Sequence, residues 1–261
     1  LLVAGKGHEK TQDYGKRKLF FSDQKVIMNS IKLKNKSLSK NLKLNIIGEQ
    51  SKSKILKKLT IKEISINSKL IKKNDVFFAI KGKKIDGNRF VSEALKKKSC
   101  LAIVNRKNIN YPKSKQIKVD NTLNFLTKCS SIFRENINAK IISITGSCGK
   151  TTLKEMIGLT LKRLSKTTYS PKSFNNKYGV PLSLFNLKQN DEFGIFEVGM
   201  DKKGEIDYLT KIIKPDLGVI TNISYAHSKN FKNINQIADA KAEIINNIKD
   251  EGIVVLNMDD D

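Results

Sequence analysis

Residues 143–156, SITGSCGKTTLKEM, place two glycines, a lysine and two threonines in the pattern of a phosphate-binding loop. The common form is Gly-x-x-x-x-Gly-Lys-Ser/Thr, but here the position of the first glycine holds Ile144. Gly146 and Gly149 still let backbone N–H groups turn toward a phosphate, and a helix starting at Lys150 adds positive potential at its N-terminus. Lys150 can reach terminal phosphates, and the Thr151 hydroxyl can ligate Mg2+. The expected nucleotide contacts are therefore Thr145, Gly146, Ser147, Cys148, Gly149, Lys150, Thr151 and Thr152. The plainer reading is a glycine turn before a helix, with an incidental lysine.

Three residues far along the chain have unusual settings. Glu197 ends the apolar run FGIFEV (193–198), where a carboxylate is costly unless paired or bound to metal. His227 follows LGVITNI (217–223) by a few residues, in SYAH. Lys241 interrupts the stripe Ile234, Ile237, Lys241, Ile245, Ile248 on a predicted helix, so a cation stands on the core-facing side. Taken singly, these are a salt-bridged acid, a surface histidine and a lysine that snorkels to water. Taken with the loop, they predict a metal–phosphate site with Lys150, Glu197, His227 and Lys241 as its acting residues.

Such a site needs a scaffold that brings these residues to one rim. Around it, IISI (141–144), FGIFEV, LGVITNI and GIVVLN (252–257) read as buried strands. Residues 150–164 read as an amphipathic helix with Leu153, Met156, Ile157, Thr160, Leu161 and Leu164 on one side, and 234–248 as another helix. Continuous apolar strands alternating with helices predict a parallel sheet covered on both faces, with ligands beyond its carboxyl ends. Upstream, DVFFAI (75–80) and CLAIVN (100–105) are strand candidates, and 89–98 and 122–137 helix candidates. Residues 29–56, dense in Lys, Ser and Asn, read as a solvated connector with room for some helix.

The bulk numbers agree with a globular protein. Of 261 residues, 39% are hydrophobic and 29% charged, and no run approaches a bilayer span. Three cysteines, Cys100, Cys129 and Cys148, lack pair spacing and point to a reducing, cytoplasmic setting. The net charge of +25 suits nucleic acid, an anionic surface or a phosphorylated substrate, yet no aromatic-interleaved basic stripe accompanies it.

These residues together resemble the ATP-dependent Mur ligases of peptidoglycan synthesis. The family's loop, Thr-Gly-[Ser/Thr]-x-Gly-Lys-[Ser/Thr], lacks the usual first glycine, and Thr145 to Thr151 match it. FNNKYGVPLSL (174–184), FEVGM (196–200), NISYAH (222–227) and DAKAEI (239–244) follow in the family's order. Residues 61–90 are similar to the N-terminal domain of the branch that adds D-alanyl-D-alanine, with Asn67-Ser68-Lys69 where that branch usually has Asp-Ser-Arg. AGKGHEKTQDYG, near the start, is similar to the end of MurE, the branch that adds the third amino acid.

The resemblance implies an α/β chain with an incomplete P-loop central ATPase domain (139–261) behind a small α/β UDP-sugar domain (57–138). A ligase tail (1–28) and a linker (29–56) would precede them, as in a fusion of two ligases. It implies ATP and Mg2+ as cofactors, and UDP-N-acetylmuramoyl-tripeptide and D-alanyl-D-alanine as substrates, with no nucleic acid and no membrane insertion. Thr151 and Glu197 would hold one Mg2+, and His227 and a carbamylated Lys241 a second. Ser68, Lys69, Asn175 and Asn176 would approach the UDP-sugar peptide, and Gly5 and Glu9 the incoming amino acid of the preceding ligase. The family's C-terminal domain is expected beyond Asp261, so this segment alone would turn over little or not at all, as a monomer or as part of a fused chain. The alternatives are a sister ligase (MurE-type or a folylpolyglutamate synthase), a fragment that binds only the UDP-sugar, and a basic P-loop protein acting on nucleic acid.

Overall fold

The computed structural model describes residues 11–13, 18–20, 42–53, 59, 61–82, 84–225 and 230–259. The chain divides into two compact units, Leu1–Leu42 and Lys43–Asp261. In the first, strands β1 (Thr11–Asp13) and β2 (Lys18–Phe20) pair antiparallel, with Thr11 opposite Phe20. Gly5 and Glu9 lie outside the described residues.

The second unit contains two parallel sheets. Helix α1 (42–51) occupies part of the stretch expected to be connector; its Leu44, Ile46 and Ile47 are buried, so that part is packed rather than solvated. The smaller sheet has four strands in sequence order, β3 (Ile64–Ser65), β4 (Val76–Phe78), β5 (Leu101–Val104) and β6 (Gln116–Lys118), all parallel. Helix α2 (Val91–Lys96) crosses from β4 to β5, and its Val91, Ala94 and Leu95 pack with Phe77, Ala79, Ala102 and Val104. Strands buried on both faces read as continuous apolar runs, which is why VFF and LAIV carry no alternation.

Helix α3 (Thr122–Glu135) fastens this sheet to the next one. Its N-terminus is capped by the Asn121 side chain, which accepts from the Asn124 N–H at 2.9 Å. At one end, Phe125 stacks on Phe78 with ring centroids 6.2 Å apart, and Thr122 Oγ1 donates to the Ala79 carbonyl at 3.0 Å. At the other end, Phe133 meets Phe185 at 5.2 Å, and the buried Arg134 donates to the carbonyls of Ile213 (2.9 Å) and Ile137 (2.8 Å).

The larger sheet is built from β7 (Lys140–Thr145), α4 (Lys150–Leu164), β8 (Thr167–Tyr169), α5 (Gly179–Leu184), β9 (Phe193–Glu197), α6 (Glu205–Ile213), β10 (Leu217–Ile220), α7 (Ile234–Ala242) and β11 (Ile253–Leu256). Its five strands are parallel in the order β11-β10-β7-β9-β8. From the central β7 the chain runs out to β8, returns through β9, then crosses to β10 on the other side. A crevice therefore opens beyond the carboxyl end of β7, between β9 and β10, where doubly wound sheets bind their ligands.

Two expectations need correction. Leu153, Ile157 and Leu161 of α4 do pack on Ile144, Ile195 and Val219, but Met156, Thr160 and Leu164, assigned to the same face, are exposed, Met156 by 61% and Leu164 by 78%. GIVVLN was expected to be buried; β11 is an edge strand, with Ile253 60% exposed and Leu256 52%. The predicted helix 234–248 is α-helical to Ala242 and tightens to 3-10 geometry over Glu243–Asn247. No helix among the described residues is long and apolar enough to cross a membrane.

Candidate active site

The loop between β7 and α4 adopts the backbone that its glycines predict. Gly146 has φ 149° and Gly149 φ 75°, a region that side chains disfavour. A Cβ on Gly146 would stand 1.8 Å from Thr221 Oγ1, so β10's exit packs directly against the loop. That exit also fixes the loop's shape. The Ser147 N–H donates to the Asn222 carbonyl (2.9 Å), the Cys148 N–H to Asn222 Oδ1 (3.0 Å), and Ser147 Oγ to the Ser224 carbonyl (2.9 Å). Thr221 and Asn222 build the site but were not among the expected site residues, although Asn222 opens the NISYAH segment that carries the family resemblance.

Lys150, the first residue of α4, curls over the loop and donates to the carbonyls of Gly146 (2.7 Å) and Ser147 (3.2 Å). An ammonium has three donors, so one remains for an anion. Burial lowers its pKa, and the nearby Glu197 carboxylate opposes that shift. Thr151 points the other way, and its hydroxyl donates to Glu197 Oε2 at 2.7 Å.

Glu197, the last residue of β9, is 1% exposed. Its second oxygen, Oε1, accepts from Asn175 Nδ2 at 2.7 Å. No lysine or arginine among the described residues ion-pairs with it, so a buried carboxylate is held by two neutral donors, the Thr151 hydroxyl and the Asn175 amide. Two hard oxygen donors, Thr151 Oγ1 and Glu197 Oε2, facing a cavity are a fit for Mg2+, which uses one or two protein ligands and completes its shell with phosphates and water. No cluster of three or more His, Cys, Asp or Glu side chains with metal spacing occurs among the described residues.

Lys241 reaches the same cavity from α7 and is 2% exposed. The core-facing position read from its helical stripe holds. Burial, with the Lys150 charge adding to it, pulls its pKa down to about 8. No hydrogen bond or ion pair of its ammonium occurs among the described residues. His227 falls outside the described residues, so the proposed quartet is tested here at three members.

Those three, Lys150, Glu197 and Lys241, line one cavity of about 1190 Å3 with Gly146, Gly149, Thr151, Thr152, Asn175 and Asn176. Its far wall is Asp201 to Glu205 and Tyr208, at the start of α6. Glu243 secures that wall: its carboxylate accepts from the N–H groups of Gly204 (2.7 Å) and Asp207 (3.1 Å). Ser68 and Lys69 lie elsewhere, on the short helix after β3. The Ser68 hydroxyl is buried and donates to Glu93 Oε2 at 2.7 Å, while Lys69 is exposed.

A doubly wound sheet with a phosphate loop at its switch point, a buried carboxylate gripping the loop's threonine and an inward lysine define a nucleotide-dependent α/β enzyme class. Residues 60–134 match the Mur ligase family, catalytic domain, and residues 144–261 the Mur ligase middle domain. The chain belongs to the Mur ligase family. Over 201 residues it is 41% identical to the UDP-N-acetylmuramoyl-tripeptide–D-alanyl-D-alanine ligase of Buchnera aphidicola from Acyrthosiphon pisum, covering 77% of this chain and 44% of that protein. The ligase of the same description from Rickettsia prowazekii is 38% identical, covering 75% of this chain and 43% of that one. Crystal structures of MurF from Acinetobacter baumannii (TM-score 0.76, 32% identity, 83% of this chain and 49% of that chain) and of Thermotoga maritima MurF with ADP (0.68, 34%, 76% and 46%) share the fold. The chain thus spans less than half the length of these relatives.

Proposed function

We propose that this chain is the UDP-sugar-binding and ATP-binding part of a ligase that joins D-alanyl-D-alanine to UDP-N-acetylmuramoyl-tripeptide. The supporting observation is the convergence of Lys150, Thr151, Glu197, Asn175 and Lys241 on one cavity, in a chain whose relatives carry that ligase description. A carboxylate oxygen of the tripeptide attacks the γ-phosphorus of ATP, releasing ADP and leaving an acyl phosphate. The amine of D-alanyl-D-alanine then attacks the acyl carbon, phosphate departs, and the amide forms with loss of a proton.

In such a transfer the protein mainly positions groups and offsets charge. The amides of Gly149 to Thr152, left without intrahelical partners at the start of α4, cradle the phosphates, and Lys150 turns its remaining donor toward the terminal ones. Thr151 and Glu197 would hold Mg2+, which, when bound, offsets charge on the phosphoryl group. Asn175 and Asn176 line the same cavity and would meet the acceptor peptide there. A pKa of about 8 leaves Lys241 a usable fraction of neutral amine near physiological pH, the form that reacts with CO2 to give a carbamate. The resulting anion would face the cavity with His227 as a second group toward a metal.

The test is phosphate release in a polypeptide extended to the relatives' full length. Release that requires both UDP-N-acetylmuramoyl-tripeptide and D-alanyl-D-alanine supports the proposal. Release with a free amino acid and the dipeptide precursor would reassign the chain to the third-residue ligase.

A further inference from the structure

Lys154 is fully buried, one turn beyond Lys150 on α4, and has no place in the ligation described above. Its ammonium donates to the carbonyl of Lys172 and lies 3.0 Å from Glu155 Oε1. Lys172 has φ 47°, in the left-handed region that a non-glycine residue seldom occupies. Lys154 therefore clamps an unfavourable turn at the start of the loop that leads to Asn175.

The same loop is fastened again three residues later. Asn175 Nδ2 donates to Glu197 Oε1 (2.7 Å), and the Gly199 N–H donates to the Asn175 carbonyl (2.8 Å). A Cβ on Gly199 would press within 3.0 Å of the Asn175 side chain, so the fit there depends on glycine. Asn176 follows, with its carbonyl accepting the Val180 N–H at 2.9 Å and starting α5.

Stability does not account for a lysine at this position. Burying an ammonium forfeits its hydration, and its ion partner Glu155 is 39% exposed, so that pair returns little of the cost. The site lies one turn before Gly158 on α4 and is fully buried, so an unbranched apolar chain would suit it as well. What only a long donor supplies is a direct strut from the phosphate helix to the loop. The strut avoids Thr151 Oγ1 and Glu197 Oε2, so it persists when those oxygens are engaged by a ligand.

We propose that Lys154 is a positioning residue, coupling the phosphate helix to the 170–176 loop and holding Asn175 and Asn176 in register with the nucleotide end of the cavity. The functional half of this inference rests on the acceptor role proposed for those two asparagines. The strut itself can be measured without any ligand.

Hydrogen exchange of this chain and its K154M and K154R variants reads the strut directly. In K154M the Gly199 and Val180 amides should exchange about tenfold faster or more, with central-strand amides and Tm unchanged or Tm higher. K154R, which keeps a donor, should restore protection. Unchanged exchange at Gly199 and Val180 would overturn the proposal, and so would loss of protection throughout with a lower Tm, which marks a purely structural residue. Calorimetry with UDP-N-acetylmuramoyl-tripeptide in the presence of Mg-ADP reads the coupling. K154M should bind the muramoyl peptide about tenfold more weakly or worse, while Mg-ADP affinity stays within about threefold. If the unmodified chain fails to bind the muramoyl peptide, the acceptor reading falls, and the exchange data still decide the strut.

Discussion

The Thr151 hydroxyl donates to Glu197 Oε2 at 2.7 Å, joining the first turn of α4 to the last residue of β9. This contact brings the phosphate loop and a buried acid into one site, and it sets the first prediction. Replacing Glu197 by Gln keeps the volume and removes the charge. ATP affinity measured with Mg2+ should fall about 10- to 100-fold, as expected when a metal ligand or its support is lost. Affinity in EDTA should hardly change. Equal losses with and without Mg2+ would mean that Glu197 serves the loop's shape rather than a metal.

Gly146→Ala addresses the loop itself. At φ 149°, with Thr221 Oγ1 1.8 Å from the position of a new Cβ, the substituted loop must move. Nucleotide binding should drop below detection by calorimetry. Hydrogen exchange in the four-stranded sheet, a separate sheet from the one that carries the loop, should be retained. The double variant Gly146→Ala, Thr221→Ala removes the steric partner and should recover part of the binding.

Lys241 gives a pH signature. Its folded pKa of about 8 lies below the ordinary 10.5, because burial penalises the ammonium. The unfolded chain therefore holds this proton more tightly. The penalty is full below about pH 8, shrinks as pH rises, and is gone above 10.5. K241M should be more stable than the parent by roughly 3 kcal/mol at pH 7, with the advantage lost by about pH 10.5. Denaturant titrations in CO2-depleted buffer at the two pH values measure it. In the extended polypeptide the same change should abolish phosphate release, so stability and activity move in opposite directions.

Asp216, just before β10, has the opposite sign. Burial opposes its ionisation most strongly, but the Ile141 N–H (2.8 Å), Lys249 (3.1 Å) and Lys140 (3.3 Å) together hold its carboxyl below the ordinary 3.8. Arg134 of α3 adds a 3.7 Å ion pair. The stabilisation is present above the ordinary carboxylate pKa and is lost as pH falls through the folded value. D216N should cost about 1–3 kcal/mol at pH 7, and the gap to the parent should close in acid-unfolding curves below about pH 4.

The legibility of this molecule in its sequence follows signal strength. The start of α4 was clear because Gly149 and Lys150-Thr151 mark it, and its end fell at Leu164 as expected although that side chain is exposed. Lys241's burial was readable from the helical stripe, whereas Ile245 on the same stripe is 45% exposed, where the α-helix has given way to 3-10 geometry. Strand β8, Thr167–Tyr169, is three residues long and partly polar and carries no pattern, whereas Ile206, Leu209 and Ile213 of α6 stand at helical spacing, a readable stripe not used in the expectations above. Lys154 was hidden for a different reason. A lysine on an amphipathic helix is expected to reach water, and only the Lys172 carbonyl, which no helical periodicity predicts, shows why this one does not. The exposure of β11 was equally unreadable, since GIVVLN looks the same at a sheet's edge as at its centre.

One titration bears most directly on the central claim that Lys150, Thr151, Glu197 and Lys241 enclose a magnesium–nucleotide site. ATP is titrated into this chain in Mg2+ and again in EDTA, with K150A as the control. The account predicts binding in Mg2+ that weakens at least about tenfold in EDTA and is lost in K150A. ATP affinity indifferent to both the metal and Lys150 would contradict it.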